Sequence, residues 1–394
     1  MAYKSNVTIN GKDYYRIRKT VGKGRDGNDI IKSFYGVSKK DAEKKAEEWL
    51  RNASLGLKIT GRQSLTMAMY KWLWNVEKVS GMKSSTFERY ESVYRIHIDN
   101  SVIGHSMLDG IDKLALQQHY NTMHSAGKTY SQIKNCNKLL NKFFRYCLSE
   151  GHIIRNPCFG IKFDAYKEDN ELSIDDELED EGKIETFSNE EIKHLVSAIH
   201  NKKLRIIIKL ALGTGLRQGE IIALNQSDID IENMNVSVTK TLVFMKIFDS
   251  PDKHHYELRV TKPKTKKSKR KVPIPSELKK DLTELNKIRN EEKLKLGGAY
   301  KDNDLLFPSE TGGYIDARNL LRAWKRGLKQ INVPYKRFHS LRHTYATQLI
   351  KNGTQLITVS RLLGHSSIKT TERYAHVLES TKQDDVQKLN ALFR

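Results

Sequence analysis

Between Asp164 and Lys183 the chain reads DAYKEDNELSIDDELEDEGK, ten acidic residues against two basic ones, with few large apolar side chains. Such a stretch cannot bury enough surface to offset the entropy lost on ordering it, so it reads as an exposed, extended connection. No single core runs across it. The remaining length of a 394-residue chain is ample for a domain on each side, and residues 161–185 are read as an acidic linker. The run opposes the rest of the sequence, where 69 Lys and Arg against 47 Asp and Glu leave a net charge of +22. That excess points to a polyanionic partner, nucleic acid first and an anionic membrane surface second. The membrane is disfavoured by the lack of a long apolar run, a signal peptide or a lipidation motif.

Residues 1–55 read as short strands followed by a helix, with thirteen basic and seven acidic residues. In DYYRIRKT, alternation puts Tyr14, Arg16 and Arg18 on one face and Tyr15 and Ile17 on the other. GKGRDGN is a turn, and Ser38 caps KKDAEKKAEEWL. A small sheet braced by one helix, with an Arg/Tyr face, suits a DNA groove; a solvated sheet face fits the pattern equally. Residues 62–160 read as a wholly helical module, with glycines at 81, 104, 127 and 151 near its boundaries. Cys136, Cys147 and Cys158 recur every eleven residues, about three helical turns, as small core residues do. With no C-x-x-C pair, neither a zinc site nor a disulfide framework is indicated, and a reducing cytoplasm is the expected setting. Metal-ligand, P-loop and dinucleotide motifs are missing too, so no metal or cofactor is expected.

From residue 186 to 394 the pattern is mixed α+β and mainly helical. Ser188 with Glu191 forms a capping-box signature. KKLRIIIKLALGTGLRQGEIIAL reads as helix, Thr-Gly turn, helix, which puts Arg217 near a helix N-terminus where anions are favoured, with Glu220 one turn on to hold it. Alternating strands follow, joined by a basic turn. Arg259 to Lys271 contain eight basic residues and no acid, and Lys262, Lys264, Lys266, Lys267, Lys269 and Arg270 are read as a DNA-attracting hairpin tip. In HSLRHTYATQLI, His339 and Arg342 share a helical face, with Leu341, Tyr345 and Leu349 as the packed stripe. In LLGHSSIKTTERYAHV, His365 follows a helix end, and Ser366 and Ser367 cap the helix carrying Thr371 and Tyr374.

Taken singly these features are ordinary. Together, in this order and spacing, TGLRQGEIIAL, HSLRHTYAT and LLGHSSIKTTERYAHV resemble the tyrosine recombinases, the integrases of phages and conjugative transposons. The resemblance covers the chain from about residue 186. More loosely, residues 62–160 resemble the core-site DNA-binding domain of such integrases, and residues 1–55 their arm-site domain. The resemblance implies Arg217, His339, Arg342, His365 and Tyr374 as catalytic residues and Glu220 as a support. Lys264 best matches the family's hairpin lysine, with Lys262 and Lys266 as neighbouring alternatives. Two positions depart from the family pattern: Ser340 where aspartate is frequent, and Gln226 where tryptophan is frequent.

The implied chemistry is strand exchange on double-stranded DNA attachment sites. Tyr374 attacks the phosphate, leaving a 3′-phosphotyrosyl link and a free 5′ hydroxyl. Arg217 and Arg342 neutralise the phosphate oxygens, His339 accepts the phenolic proton, His365 donates a hydrogen bond and Lys264 protonates the leaving oxygen. The bond energy is kept in the link, so neither ATP nor metal is needed. The resemblance further implies a homotetramer on DNA, an excision factor, a host DNA-bending protein and a nucleoid-associated bacterial setting. Two rivals stand beside it: a catalytically silent DNA-binding regulator of the same fold, and a topoisomerase-like enzyme without site choice.

Overall fold

The computed structural model describes residues 7–9, 12–23, 29–54, 63–166, 184–261, 269–365 and 367–374. It divides into two compact units, residues 1–179 and 180–394. No helix among the described residues is long and apolar enough to cross a membrane.

The first unit begins with an antiparallel sheet in the order β1 (Val7–Ile9), β2 (Lys12–Lys23), β3 (Asp29–Gly36), followed by α1 (Lys39–Ser54). Ser38 caps α1 by accepting from the Asp41 amide. Ile17 pairs with Phe34 and Tyr15 with Gly36. Phe34 is buried, with the Trp49 ring of α1 5.8 Å away, so these residues line the helix-covered face. By strand alternation, Tyr14, Arg16 and Arg18 lie on the opposite face.

The helical module comprises α2 (Leu65–Trp72), continued by a π-helical turn over Leu73–Glu77, then α3 (Ser84–His97), α4 (Val102–His105), α5 (Lys113–Ser125) and α6 (Tyr130–Ser149). Caps fix four starts: Ser64 for α2, Ser101 for α4, Asp112 for α5, and a capping box of Thr129 with Gln132 for α6. Helix α6 buries Ile133, Cys136, Leu140, Phe143 and Cys147 along one stripe. Cys158 is buried too, and desolvation pushes the Cys147 and Cys158 thiols up to about 12. These cysteines are core, as their spacing suggested. The core also runs past residue 160: Ile161 and Phe163 pack on it, and Tyr166 is buried in it with its hydroxyl on Asn121. The expected linker therefore starts later than 161, and most of it, residues 167–183, lies outside the described residues.

The second unit is built around α8 (Lys202–Thr214), which packs against α7 (Asn189–Ser197), α10 (Leu278–Leu296), α11 (Ala317–Gln330) and α12 (Ser340–Lys351). The remaining helices are α9 (Gln218–Ile221), α13 (Leu356–Leu363) and α14 (Lys369–Glu372). Strands β4 (Ile229–Asp230), β5 (Asn235–Val238) and β8 (Arg270–Pro273) form one antiparallel sheet, and β6 (Thr241–Phe248) with β7 (His254–Thr261) form a ribbon. This corrects the expected basic hairpin tip. Strand β7 pairs with β6, and the turn between them lies at Asp249–Lys253, where the Asp249 amide donates to the Lys253 carbonyl. Thr261 is the last paired residue of the ribbon, and Arg270, the first residue of β8, pairs with Val238 of β5 in the other sheet. Lys262, Lys264, Lys266 and Lys267 fall outside the described residues, whereas Lys269 is exposed.

Trp324 anchors the core beneath the site. It is fully buried, its indole N–H donates to the Lys336 carbonyl, and it packs edge-on against Phe187 and Phe338. Phe338 thereby fixes the chain entering α12, one residue before His339.

Candidate active site

Two helix ends build the floor. Helix α8 stops at Gly215 and α13 at Gly364, both in the left-handed region, with φ of 62° and 68°. A side chain at Gly215 would also strike the Tyr345 ring, 2.3 Å from where its Cβ would lie. Helix C-termini leave carbonyls unsatisfied. The Arg342 guanidinium, 2% exposed, bridges the two ends by donating to the carbonyls of Gly215 and Leu363, both at 2.7 Å. Its position is thus set by two separate segments. Burial, with Arg217 nearby, lowers its pKa to about 9, so it stays cationic at neutral pH.

Glu220 organises the second arginine layer. Its carboxylate is buried and accepts a bidentate pair from Arg270, both bonds at 3.0 Å, and one from Arg217 at 3.2 Å. It also accepts from the Arg217 amide at the start of α9. Burial raises the carboxyl, but the Arg270 hydrogen bonds and the charges of Arg270, Arg217 and Arg342 prevail and hold it at about 2. Arg217 keeps 42% of its side chain exposed. It is oriented at its base and open at its tip.

Arg270 requires a correction. Expected among the DNA-attracting cations of the basic run, its side chain is 6% exposed, spent on Glu220 and on the Leu362 carbonyl at 2.6 Å. It is an internal brace between β8, α9 and the end of α13.

The imidazoles and the phenol come from α12 and the segment after α13. Burial, then His343, Arg342 and Arg217, press the His339 pKa well below its ordinary value. His365 is pushed down to about 3 by burial, then by Arg342, Arg217, Arg270 and Arg373. Its Nδ1 is 2.8 Å from the Thr371 hydroxyl. When that hydroxyl donates, Nε2 carries the ring hydrogen and is a donor. Ser367 accepts from the Lys369 amide before α14, while Ser366 lies outside the described residues. Tyr374 follows α14, 2% exposed, in an apolar cluster with Tyr345, Val359 and Leu363. Burial raises its phenol, opposed by Arg342, Arg373 and Arg217. Its hydroxyl is 2.6 Å from His343 Nδ1.

Arg217, Glu220, His339, Arg342, His365 and Tyr374, drawn from three separated motifs, thus share one electrostatic neighbourhood. The phenol of Tyr374 bonds to His343, not to His339 as expected. His343 had a signal in the sequence, four residues after His339 and so on the same helical face. Thr371 and Arg270 had none that set them apart.

Residues 185–381 match the model of the phage integrase family. A tyrosine recombinase XerC-like protein of Caldanaerobacter subterraneus subsp. tengcongensis is 41% identical over 400 residues, covering all of both chains. The chain belongs to the phage integrase family. It is a tyrosine-type site-specific DNA recombinase, and the silent-regulator alternative is not favoured. The ICEBs1 integrase of Bacillus subtilis is 28% identical over 68% of this chain and 67% of its own. Among solved structures, the Tn1549 transposon integrase in complex with transposon right end DNA superposes with a TM-score of 0.63 at 21% identity, over 79% of this chain and 94% of that one. A lambda integrase dimer bound to a core site gives 0.53 at 18% identity, over 94% and 93%. These two likenesses establish the fold.

Proposed function

We propose that this recombinase is the integrase of a mobile element and that Tyr374 is its nucleophile. The observation that carries the assignment is the Tyr374 hydroxyl, on an imidazole and within the field of Arg342, Arg373 and Arg217. A free phenol ionises near pH 10 and is a poor nucleophile at neutral pH. A phosphodiester seated on Arg217 and Arg342 would meet two guanidiniums, one open and one fixed by two carbonyls. Both oppose the charge that grows on the non-bridging oxygens during attack. His365, neutral at pH 7, donates to a phosphate oxygen. His339, neutral as well, completes the imidazole group. The Tyr374 oxygen bonds to phosphorus, the bond to the 5′ oxygen breaks, and Lys264 or a neighbouring lysine of the basic run protonates that oxygen. Attack by a 5′ hydroxyl of the partner strand reverses the step.

The Arg/Tyr face of the N-terminal sheet, with Tyr14, Arg16 and Arg18, is assigned to arm-type DNA and the helical module to core-site DNA. The DNA-facing cations of the basic run are Lys262, Lys266, Lys267 and Lys269. Four copies act on paired attachment sites in the bacterial cytoplasm, on nucleoid DNA, with an excision factor and a host DNA-bending protein. Structures of lambda integrase include a tetramer bound to a Holliday junction, which supports the fourfold assembly. The test uses a nicked suicide duplex built on the joined DNA ends that flank the gene. Wild-type protein should give a covalent adduct on a denaturing gel. Tyr374→Phe should bind the duplex equally and give none; an adduct from that variant would refute the assignment.

A further inference from the structure

The resemblance gives the phenolic proton to His339, but the geometry gives it a nearer acceptor. His343 Nδ1 lies 2.6 Å from the Tyr374 hydroxyl, at the short end of hydrogen-bond distances. The two rings lie 5.8 Å apart at 52°. His339 meets His343 edge-on, with centroids 4.8 Å apart, so the order in space is His339, His343, Tyr374. His339 is the N-cap residue of α12 and His343 lies in its first turn, next to Arg342, which is locked by Gly215 and Leu363. The acceptor is therefore carried by the same rigid helix as the arginine that holds the phosphate.

We propose that His343 is a catalytic residue of the cleavage step, taking the proton from Tyr374 as its oxygen attacks phosphorus. This rests on Tyr374 being the nucleophile. The phenolic O–H bond breaks, Nδ1 gains the proton, and the electron pair left on oxygen forms the bond to phosphorus. The pair from the broken P–O bond leaves on the 5′ oxygen, which takes its proton from the cation of the basic run. In rejoining, the imidazolium returns its proton to the departing phenolate. His339 then serves the phosphate and the orientation of the His343 ring. The charged groups acting on Tyr374 include Arg342 on α12, Arg373 beside it and Arg217 at the start of α9. All three are cations and favour the phenolate character that develops on the Tyr374 oxygen as its proton leaves.

The test is single-turnover cleavage of the nicked duplex between pH 6 and 9.5, with DNA binding by gel shift as the check on folding. His343→Gln should bind like wild type and cleave about a hundredfold or more slowly at neutral pH, as loss of a positioned base does. That deficit should narrow as rising pH ionises the phenol unaided. His343→Ala should regain rate when imidazole is added. A deficit constant across pH with no imidazole rescue would reduce His343 to a packing role and overturn the proposal. Cleavage by His343→Gln as fast as wild type, or faster, would overturn it too, by making the contact a restraint on the tyrosine. Wild-type protein that forms no adduct removes the nucleophile assignment itself, and this inference with it.

Discussion

Arg217 and Arg342 carry the same group in opposite settings, and their substitutions should separate accordingly. Arg217 is half open and shares a carboxylate that Arg270 already satisfies. Arg217→Ala should cost about 0–1 kcal/mol of stability, while cleavage falls about a hundred- to a thousandfold. Arg342→Ala should lose comparable rate and, in addition, stability, because the carbonyls of Gly215 and Leu363 are left buried without donors. Thermal denaturation beside single-turnover cleavage separates the two; equal loss of stability would contradict the distinction. The histidines give a pH signature. His365 titrates near 3 in the folded chain against about 6.5 when unfolded. Below pH 6.5 the unfolded chain therefore holds more protons, and stability drops as pH falls through that window toward 3. Tm should be lower at pH 5 than at pH 7, and His365→Gln should flatten part of that slope in a calorimetric series.

At the scale of elements, the site depends on two helix ends meeting one short strand. Arg270 on β8 reaches Glu220 on α9 and the Leu362 carbonyl of α13. Arg270→Met takes the bidentate partner from a buried carboxylate, leaving it the two Arg217 bonds, and should cost about 3–5 kcal/mol. The exposed neighbour Lys269→Ala should stay within about 0.5 kcal/mol. Urea denaturation of the two variants checks this, and similar values would refute the brace. The contrast also marks where the sequence stops being readable. The capping box of Ser188 with Glu191, the Thr-Gly stop of α8 and the His339–Arg342 spacing are local, and each appears where its signal placed it. Arg270 is one of eight cations in thirteen residues, and only the pairing of β8 with β5 and the approach of α13 single it out. Register decided the basic run as well, because alternation marks strands but does not say which strand pairs with which. Composition places Tyr166 with the acidic run after it, yet its own ring belongs to the helical core.

For the whole molecule, the charge of +22 and the DNA-strand chemistry of the family point the same way. Binding that releases counterions from phosphates weakens steeply with salt. Affinity for the nicked duplex should fall on the order of a thousandfold between 50 and 200 mM salt, measured by fluorescence anisotropy. An affinity indifferent to salt would contradict the assigned DNA surfaces. The central claim is that two guanidiniums, the imidazoles and one phenol converge on a single backbone phosphate. Its most direct test is to trap the covalent complex on the nicked duplex, digest it and map the modified peptide by mass spectrometry. The expected product is a nucleotide joined through its 3′ phosphate to Tyr374. A link to any other residue, or one through a 5′ phosphate, would contradict it.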